Sequence, residues 1–250
     1  MNTNKTRQTY RCRSDYNSLI IVFIIFVIHL NFSCNKSIHE NLIEAARNGE
    51  ISKIKTILDN GANVNYQDAS GKTVLHLLCL LPFVEDNSQS SDSIFLYLID
   101  HGSDVNIADK NGNTPLFYSI QSGNYDVTVF LVNHGANVNQ RNKNLQTPMY
   151  NAVSFIISGV KEVRSIEFVR FLYQAGADIL VKDKEGKNLM HNSKDPMITA
   201  WLIEHGLSPR LKDIYGKTPL DYSSAEIFKM RDAIAGADSG PASLKNSAKN

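Results

Sequence analysis

The chain has 250 residues, of which 42% are hydrophobic and 20% are charged, and its formal net charge is +1. These proportions are typical of a globular protein and exclude a collagen-like or largely disordered chain. Because residues 34–250 hold 22 basic and 24 acidic side chains, this near-neutral body gives no reason to expect binding to nucleic acid, which needs a clustered basic face.

The N-terminal segment has the layout of an export signal. Residues 1–18 are polar and basic, and the apolar run "LIIVFIIFVIHL" follows from Leu19 to Leu30. As a helix this run spans roughly 18 Å, which is short of a hydrocarbon core about 30 Å thick. A basic head before such a run is typical of a secretory signal, and an uncleaved anchor is the alternative. Because positive charge stays on the cytoplasmic side, either reading predicts that the rest of the chain is exported.

A small residue stands directly before Cys34, where the apolar run ends. The segment resembles a bacterial lipoprotein signal, in which such a cysteine is lipidated and becomes the new N-terminus. The resemblance implies a signal peptide over residues 1–33, a lipid attachment site at Cys34 and a tether over residues 34–38. The alternative is an ordinary secretory cut, which would leave Cys34 as a free thiol.

Two phrases recur through the rest of the chain. The first reads "DASGKTVLHLL" from Asp68, "DKNGNTPLFYS" from Asp109 and "DIYGKTPLDYS" from Asp213, with weaker copies from Arg141 and Lys182. The second, as in "LDNGANVN" and "VNHGANVN", contains glycines spaced by 41, 33, 41 and 30 residues: Gly61, Gly102, Gly135, Gly176 and Gly206. Self-similarity at this period indicates an array of stacked supersecondary units.

A unit of 33 residues with these two phrases resembles the ankyrin repeat, over roughly residues 39–232. The resemblance implies an all-α fold, a solenoid of about six helix-turn-helix units linked by turn or β-hairpin loops. We expect an ankyrin-repeat domain over residues 39–235 and a disordered tail over residues 236–250. The predicted units are residues 39–67, 68–108, 109–140, 141–181, 182–211 and 212–235.

Each unit carries signals for the start and end of its helices. Hydroxyl or amide residues at the predicted helix starts can cap them: Thr73, Thr114, Thr147, Asn188 and Thr218. The repeat glycine suits the left-handed conformation that ends a helix. His101, His134 and His205 precede that glycine, and we expect them to bind the last carbonyls rather than a metal. By resemblance, His76 and His191 hydrogen-bond the neighbouring loop.

Two units are eight residues longer than 33, and the additions fall between their two helices. They lie within "CLLPFVEDNSQSSDSIFLYL" and "NAVSFIISGVKEVRSIEFVRFL". The first addition is predicted to be a polar loop, and the second is predicted to be an extra turn on each helix. The two additions are either a second contact ridge or plain variation in length.

No catalytic constellation is present in the sequence, which lacks HExxH, GxSxG and a phosphate-binding glycine loop. Cys12, Cys34 and Cys79 show no CxxC or metal-ligand spacing. Cys79 follows an apolar stretch and is predicted to be a buried structural thiol. The sequence therefore predicts no enzyme, no cofactor, no metal site and no small-molecule substrate.

The resemblance implies a binding surface for a protein partner, made of the turn-loop tips and the exposed positions of the first helices. The residues predicted on it are Glu44, Tyr66, Leu77, Lys110, Asn111, Tyr118, Arg141, Lys143, Asn151, Lys184, Asn192, Tyr215 and Tyr222. Its tyrosines are either interface anchors or covers of the core. The later loop tips are mostly basic, which indicates either an acidic partner or a solvated face.

Together these patterns predict a monomeric scaffold, lipid-anchored on the periplasmic side or at the outer membrane of a bacterium. It would bind a protein partner and no nucleic acid. One alternative is a secreted effector that binds proteins of another organism, which would require a free Cys34. A second alternative is an envelope enzyme with a cryptic site.

Overall fold

The computed structural model describes residues 38–81, 90–154 and 163–222. The export segment with Cys34, residues 82–89 and 155–162 in the segments of the two additions, and the C-terminal tail lie outside the described residues. The end of the predicted polar loop, residues 90–93, is helical instead. In chain order the helices are α1 (38–47), α2 (Ile51–Asp59), α3 (Val74–Leu80), α4 (Ser90–Asp100), α5 (Pro115–Gln121), α6 (Tyr125–Asn133), α7 (Pro148–Ser154), α8 (Val163–Gln174), α9 (Leu189–Asn192), α10 (Pro196–Glu204) and a 3₁₀ turn (Pro219–Asp221).

The predicted all-α solenoid is confirmed. Each of the first five units supplies two helices, and the sixth is described only as far as its 3₁₀ turn. Within the described ranges the turn loops contain no strand, and their β-character is limited to one isolated bridge between Lys182 and Asn188. The loops are therefore tight turns rather than extended hairpins.

The predicted helix signals lie where the sequence placed them. Thr73, Thr114, Asn188 and Thr218 are N-cap residues with extended backbone angles. The side chains of Thr147 and Asn188 accept from the N–H three residues later, whereas Thr114 makes no such bond. At the other end of the second helices the repeat glycine has a φ of 81–90°, which L-residues with a side chain rarely adopt. These local preferences fix where each helix begins and ends, and so they fix the length of each unit.

A continuous core runs along the array where the first helices stack, α3 on α5, α5 on α7 and α7 on α9. Leu75, Leu116, Met149 and Met190 occupy the same place in successive units, and each is at most 4% exposed. Burying such a side chain contributes about 1.5–3 kcal/mol. A unit cannot bury this position alone, so the stacking of neighbours stabilises each of them.

A ladder of asparagines joins the ends of successive units. The amide of Asn65 donates from Nδ2 to the carbonyl of Gly102 at 2.8 Å and accepts at Oδ1 from the N–H of Asp104 at 2.9 Å. Asn106 and Asn139 make the equivalent pair of bonds to the following unit. Each amide thus satisfies one backbone donor and one backbone acceptor of its neighbour.

Candidate functional site

The turn loops that follow the asparagine ladder are rigid, because one side chain organises each of them. In the loop of the third unit, Oδ1 of Asp109 accepts hydrogen bonds from the backbone N–H of Asn111 and Asn113, both at 2.8 Å. Asp68, Asp183 and Asp213 do the same in their loops. A carboxylate that closes a turn on the backbone in this way holds the loop in one conformation.

Backbone hydrogen bonds also join each loop to the next. The N–H of Lys110 donates to the carbonyl of Ser70 at 2.9 Å, and the N–H of Lys143 donates to the carbonyl of Asn111 at 2.8 Å. The same contact links Lys184 to Asn144 at 3.1 Å and Ile214 to Glu185 at 3.0 Å. The loop tips therefore form one connected row.

A buried histidine fastens the first helix of the second unit to the next loop. Nδ1 of His76 accepts from the N–H of Thr73 at 3.1 Å, and Nε2 lies 3.2 Å from the carbonyl of Asn113. Burial lowers the pKa of His76 to about 4, although the carbonyl of Asn113 opposes that shift. His191 lies in the same way against Lys217, so the role predicted for both histidines is confirmed.

The predicted helix-end role of the other histidines is also confirmed. Nδ1 of His101, His134 and His205 lies 2.8 Å from the carbonyl of the residue four positions earlier in the helix. Each of these carbonyls also accepts from the backbone N–H of the same histidine, so the ring adds a second contact to a carbonyl in the last turn of the helix. Within the described residues no group of three or more His, Cys, Asp or Glu side chains is arranged to hold a metal ion.

Two residues predicted on the binding surface are buried, which corrects the prediction for them. Leu77 is 7% exposed and Tyr118 is 8% exposed, and both belong to the core. The Tyr118 hydroxyl donates to Oδ2 of Asp109 at 2.6 Å, and burial together with this bond raises its pKa. Tyr118 therefore covers the core and holds its own loop through Asp109. Lys72 of the preceding unit lies over its ring, 4.6 Å from the centroid.

The other predicted surface residues are accessible to different degrees. Tyr66 is half-buried and stacks on His39, with ring centroids 4.8 Å apart. Tyr222 is 37% exposed, and its hydroxyl donates to Asp213. Asn151 and Asn192 are half-buried. The exposed residues are Glu44, Lys110, Asn111, Arg141, Lys143, Lys184 and Tyr215.

A cleft of about 440 Å³ lies between the loops of the third and fourth units. Three predicted surface residues, Asn111, Lys143 and Asn151, converge on it. Its other lining residues carry amides or a hydroxyl: Asn113, Gln121, Asn142, Asn144, Gln146 and Ser154. Sequence reasoning found part of the lining but not the cleft, because the loops of two units and the helices α5 and α7 enclose it together.

The cleft presents hydrogen-bonding groups rather than acid–base chemistry. Carboxamides offer both donors and acceptors and do not titrate. Lys143 is the ionisable side chain among the lining residues. The arrangement can therefore bind a polar chain, whereas its described residues offer no pair of groups for proton transfer.

No helix within the described residues is long and apolar enough to cross a membrane.

Known proteins resemble this chain along its repeats. A family model described as ankyrin repeats (3 copies) matches residues 42–142 and 84–183. The ankyrin repeat protein YahD of Escherichia coli is 26% identical over 204 residues, which cover 78% of this chain and 93% of YahD. An ankyrin repeat protein of Acanthamoeba polyphaga mimivirus is 33% identical over 66 residues, 26% of this chain and 14% of the viral protein. One of fowlpox virus is 37% identical over 68 residues, 27% of this chain and 15% of the viral protein. The chain thus spans a small part of the viral relatives and nearly all of YahD.

Proposed function

The chain belongs to the ankyrin-repeat family of protein–protein interaction scaffolds, and we propose that it binds a protein partner on the connected row of loops without catalysing a reaction. The observation that carries this proposal is the row itself, in which backbone hydrogen bonds join successive loops and leave their tips exposed. A surface that is already ordered loses little conformational entropy when a partner binds. The row is therefore suited to recognition.

Two groups that could serve an enzyme are engaged in the fold, which supports a non-enzymatic role. Burial raises the pKa of the Cys79 thiol, and a thiol that stays protonated is a poor nucleophile. His76, the neighbouring buried base, uses both ring nitrogens for the helix cap and the next loop. Neither group faces the cleft between the third and fourth units.

We further propose that the protein is exported and lipid-anchored through Cys34 at a bacterial cell envelope. The basic head, the short apolar run and the small residue before Cys34 support this proposal. The intact mass of native protein extracted from membranes tests it. We expect residues 34–250 plus acyl chains. Bare residues 34–250 would favour the secreted effector, and an uncut chain would favour an uncleaved anchor.

Cross-linking in envelope fractions tests the scaffold role. We expect the wild-type chain to be joined to a defined protein. Charge reversal at an exposed loop tip, Lys110→Glu, should reduce that product. The matched control is Arg170→Glu on the outer helix α8, where the side chain is also exposed. An equal loss in both variants, or no cross-linked protein from any fraction, would contradict a scaffold that binds through its loops.

A further inference from the structure

Residues 141–146 form the turn loop of the fourth unit, the fourth loop. It differs from the other turn loops at two positions. Asn142 stands where the other loops have the carboxylates of Asp68, Asp109, Asp183 and Asp213. Leu145 stands where they have the glycines Gly71, Gly112, Gly186 and Gly216. Both changes lie beside the cleft, since Asn142, Asn144 and Gln146 line it.

Leu145 adopts a conformation that its side chain disfavours. Its φ is 60°, and no other non-glycine residue among those described has a positive φ. The left-handed region strains an L-residue that carries a side chain. Its side chain is nevertheless 41% exposed, so the fold gains only part of the burial that a leucine can provide. Local strain of this kind, kept at an exposed position next to a cleft, indicates a contact residue.

Asn142 changes the charge of the same loop. Its Oδ1 accepts from the N–H of Asn144 and Gln146, as the aspartates do elsewhere, while its Nδ2 donates to Oδ1 of Asn113 at 3.0 Å. The turn is thus kept without a carboxylate. Arg141 and Lys143 in this loop are exposed, and they take part in none of the ion pairs found among the described residues.

The positive charge extends to the loops on both sides. Lys110 and Lys184 are exposed and are likewise absent from the ion pairs of the described residues. The carboxylates of the neighbouring loops have partners other than these lysines, since Asp109 accepts from Tyr118, Asp183 accepts from Tyr150 and Glu185 pairs with Lys187. A cleft lined by neutral amides and edged by unpaired cations attracts a negatively charged chain.

The lining favours a peptide over a sugar chain. Carboxamides that the turn does not use can pair with the alternating N–H and C=O groups of an extended backbone, and in the cleft these belong to Asn111, Gln121, Asn144 and Asn151. The residues lining the cleft include no aromatic ring on which a sugar could stack. We infer that the cleft binds an extended acidic peptide segment of the partner. Its backbone lies on the amides, a carboxylate faces Lys143 and Arg141, and an apolar side chain packs on Leu145. This assignment rests on the proposed scaffold function.

The test selects ligands from a library of short random peptides displayed on phage, with the full-length chain as bait. We expect enriched peptides to combine acidic residues with an apolar residue. Fluorescence anisotropy with one enriched peptide then compares variants. Lys143→Glu should weaken binding about tenfold, whereas Lys194→Glu, an exposed lysine between α9 and α10, should leave it unchanged. Added salt should weaken binding to the wild-type chain.

A second pair of variants tests the apolar contact. Leu145→Gly should weaken peptide binding severalfold and leave the unfolding midpoint unchanged or higher, since relief of the left-handed backbone offsets the loss of a half-exposed side chain. The control is Leu180→Gly, which removes a leucine that is 70% exposed and does not line the cleft. We expect it to leave peptide binding intact.

Several outcomes would overturn the assignment. They are the absence of enriched peptides, enrichment that ignores acidic residues, binding that survives both Lys143→Glu and Leu145→Gly, and binding of cell-wall glycan fragments in place of peptides. Cross-linking in the envelope separates this failure from failure of the scaffold role. A partner still captured by both variants would refute the cleft and keep the scaffold, while a wild-type chain that captures none would refute both.

Discussion

The phenolic hydroxyl of Tyr150, on the first helix of the fourth unit, donates a hydrogen bond to Oδ2 of Asp183 in the loop of the fifth unit, at 2.5 Å. Tyr150 is 3% exposed, and burial, together with the bond to Asp183, raises its pKa. Oδ1 of the same carboxylate closes the turn on the backbone N–H of Glu185 and Lys187. One aspartate therefore shapes its own loop and ties that loop to the preceding unit.

Tyr150→Phe should lower the free energy of unfolding by about 1.5–3 kcal/mol, because a buried hydrogen bond to a charged group is lost while the ring is kept. Urea denaturation followed by circular dichroism measures the change. The control is Tyr215→Phe, at a side chain that is 64% exposed, which should stay within about 0.5 kcal/mol of the wild type. Equal effects of the two substitutions would mean that the Tyr150–Asp183 bond does not stabilise the array.

His76 should make stability depend on pH. Its pKa is lowered from 6.5 to about 4 in the folded chain, so the unfolded chain binds a proton that the folded chain does not. The contribution of neutral His76 to the free energy of unfolding is therefore fully present above pH 6.5. It is lost as the pH drops from 6.5 to about 4, which lowers the free energy of unfolding by up to roughly 3 kcal/mol. Protonation also removes the bond that Nδ1 accepts from Thr73.

The pH profile of His76→Gln provides the comparison. The free energy of unfolding, measured in urea at intervals of pH, should fall less steeply in the variant than in the wild type across that window. The titration of Asp68 falls below this pH window. Burial tends to raise its pKa, but hydrogen bonds from Ser70, Lys72 and Arg47 outweigh burial and lower it to about 2, so its contribution is lost only at lower pH. Parallel profiles would contradict a neutral buried His76.

Two glycines with similar backbone angles should respond differently to alanine. At Gly135, with a φ of 88°, a Cβ would meet nothing within 4 Å, so Gly135→Ala should cost only the backbone strain of about 1–2 kcal/mol. At Gly71, with a φ of 82°, a Cβ would lie 2.7 Å from the backbone nitrogen of Lys110. Gly71→Ala should cost more, because it also separates two joined loops. Thermal unfolding of both variants tests the order, and equal midpoints would contradict the close contact.

Local chemistry explains why much of this fold could be predicted from the sequence. An N-cap such as Thr114 and a helix-ending glycine such as Gly135 are set by backbone preferences within a few residues. The burial of Tyr118 was not predictable in that way. Whether a position on the first helix faces solvent depends on the adjacent loops, and here Lys72 of the preceding unit and Asp109 of its own unit enclose the ring.

The cleft and the asparagine ladder lie beyond local reasoning for a related cause. The recurrence of Asn65, Asn106 and Asn139 is visible in the second phrase, but their hydrogen-bond partners lie 29 to 39 residues later in the chain. The two unusual residues of the fourth loop, Asn142 and Leu145, are also visible once the loops are aligned. Their significance follows only when the structure places them beside a cleft.

The asparagine ladder is interrupted at the fifth unit, where Leu180 takes the place of the asparagine. Its backbone keeps the geometry of the other units. The N–H of Leu180 donates to Oδ1 of Asp178 at 2.8 Å, as that of Asn106 does to Asp104. The apolar side chain is 70% exposed and cannot bridge to the sixth unit. We therefore expect the contact between the fifth and sixth units to be weaker than its counterparts.

Leu180→Asn should restore the two missing bonds, with Gly206 offering the carbonyl and Ser208 the N–H at the equivalent places. We expect the free energy of unfolding to rise by about 1 kcal/mol, and backbone amides in residues 211–222 to exchange more slowly with deuterium, since the last described unit would open less often. Leu180→Ala is the control, because it removes the same exposed leucine without supplying an amide. If the alanine variant gained as much protection as the asparagine variant, the gain would come from losing the leucine, and the ladder would not couple these units.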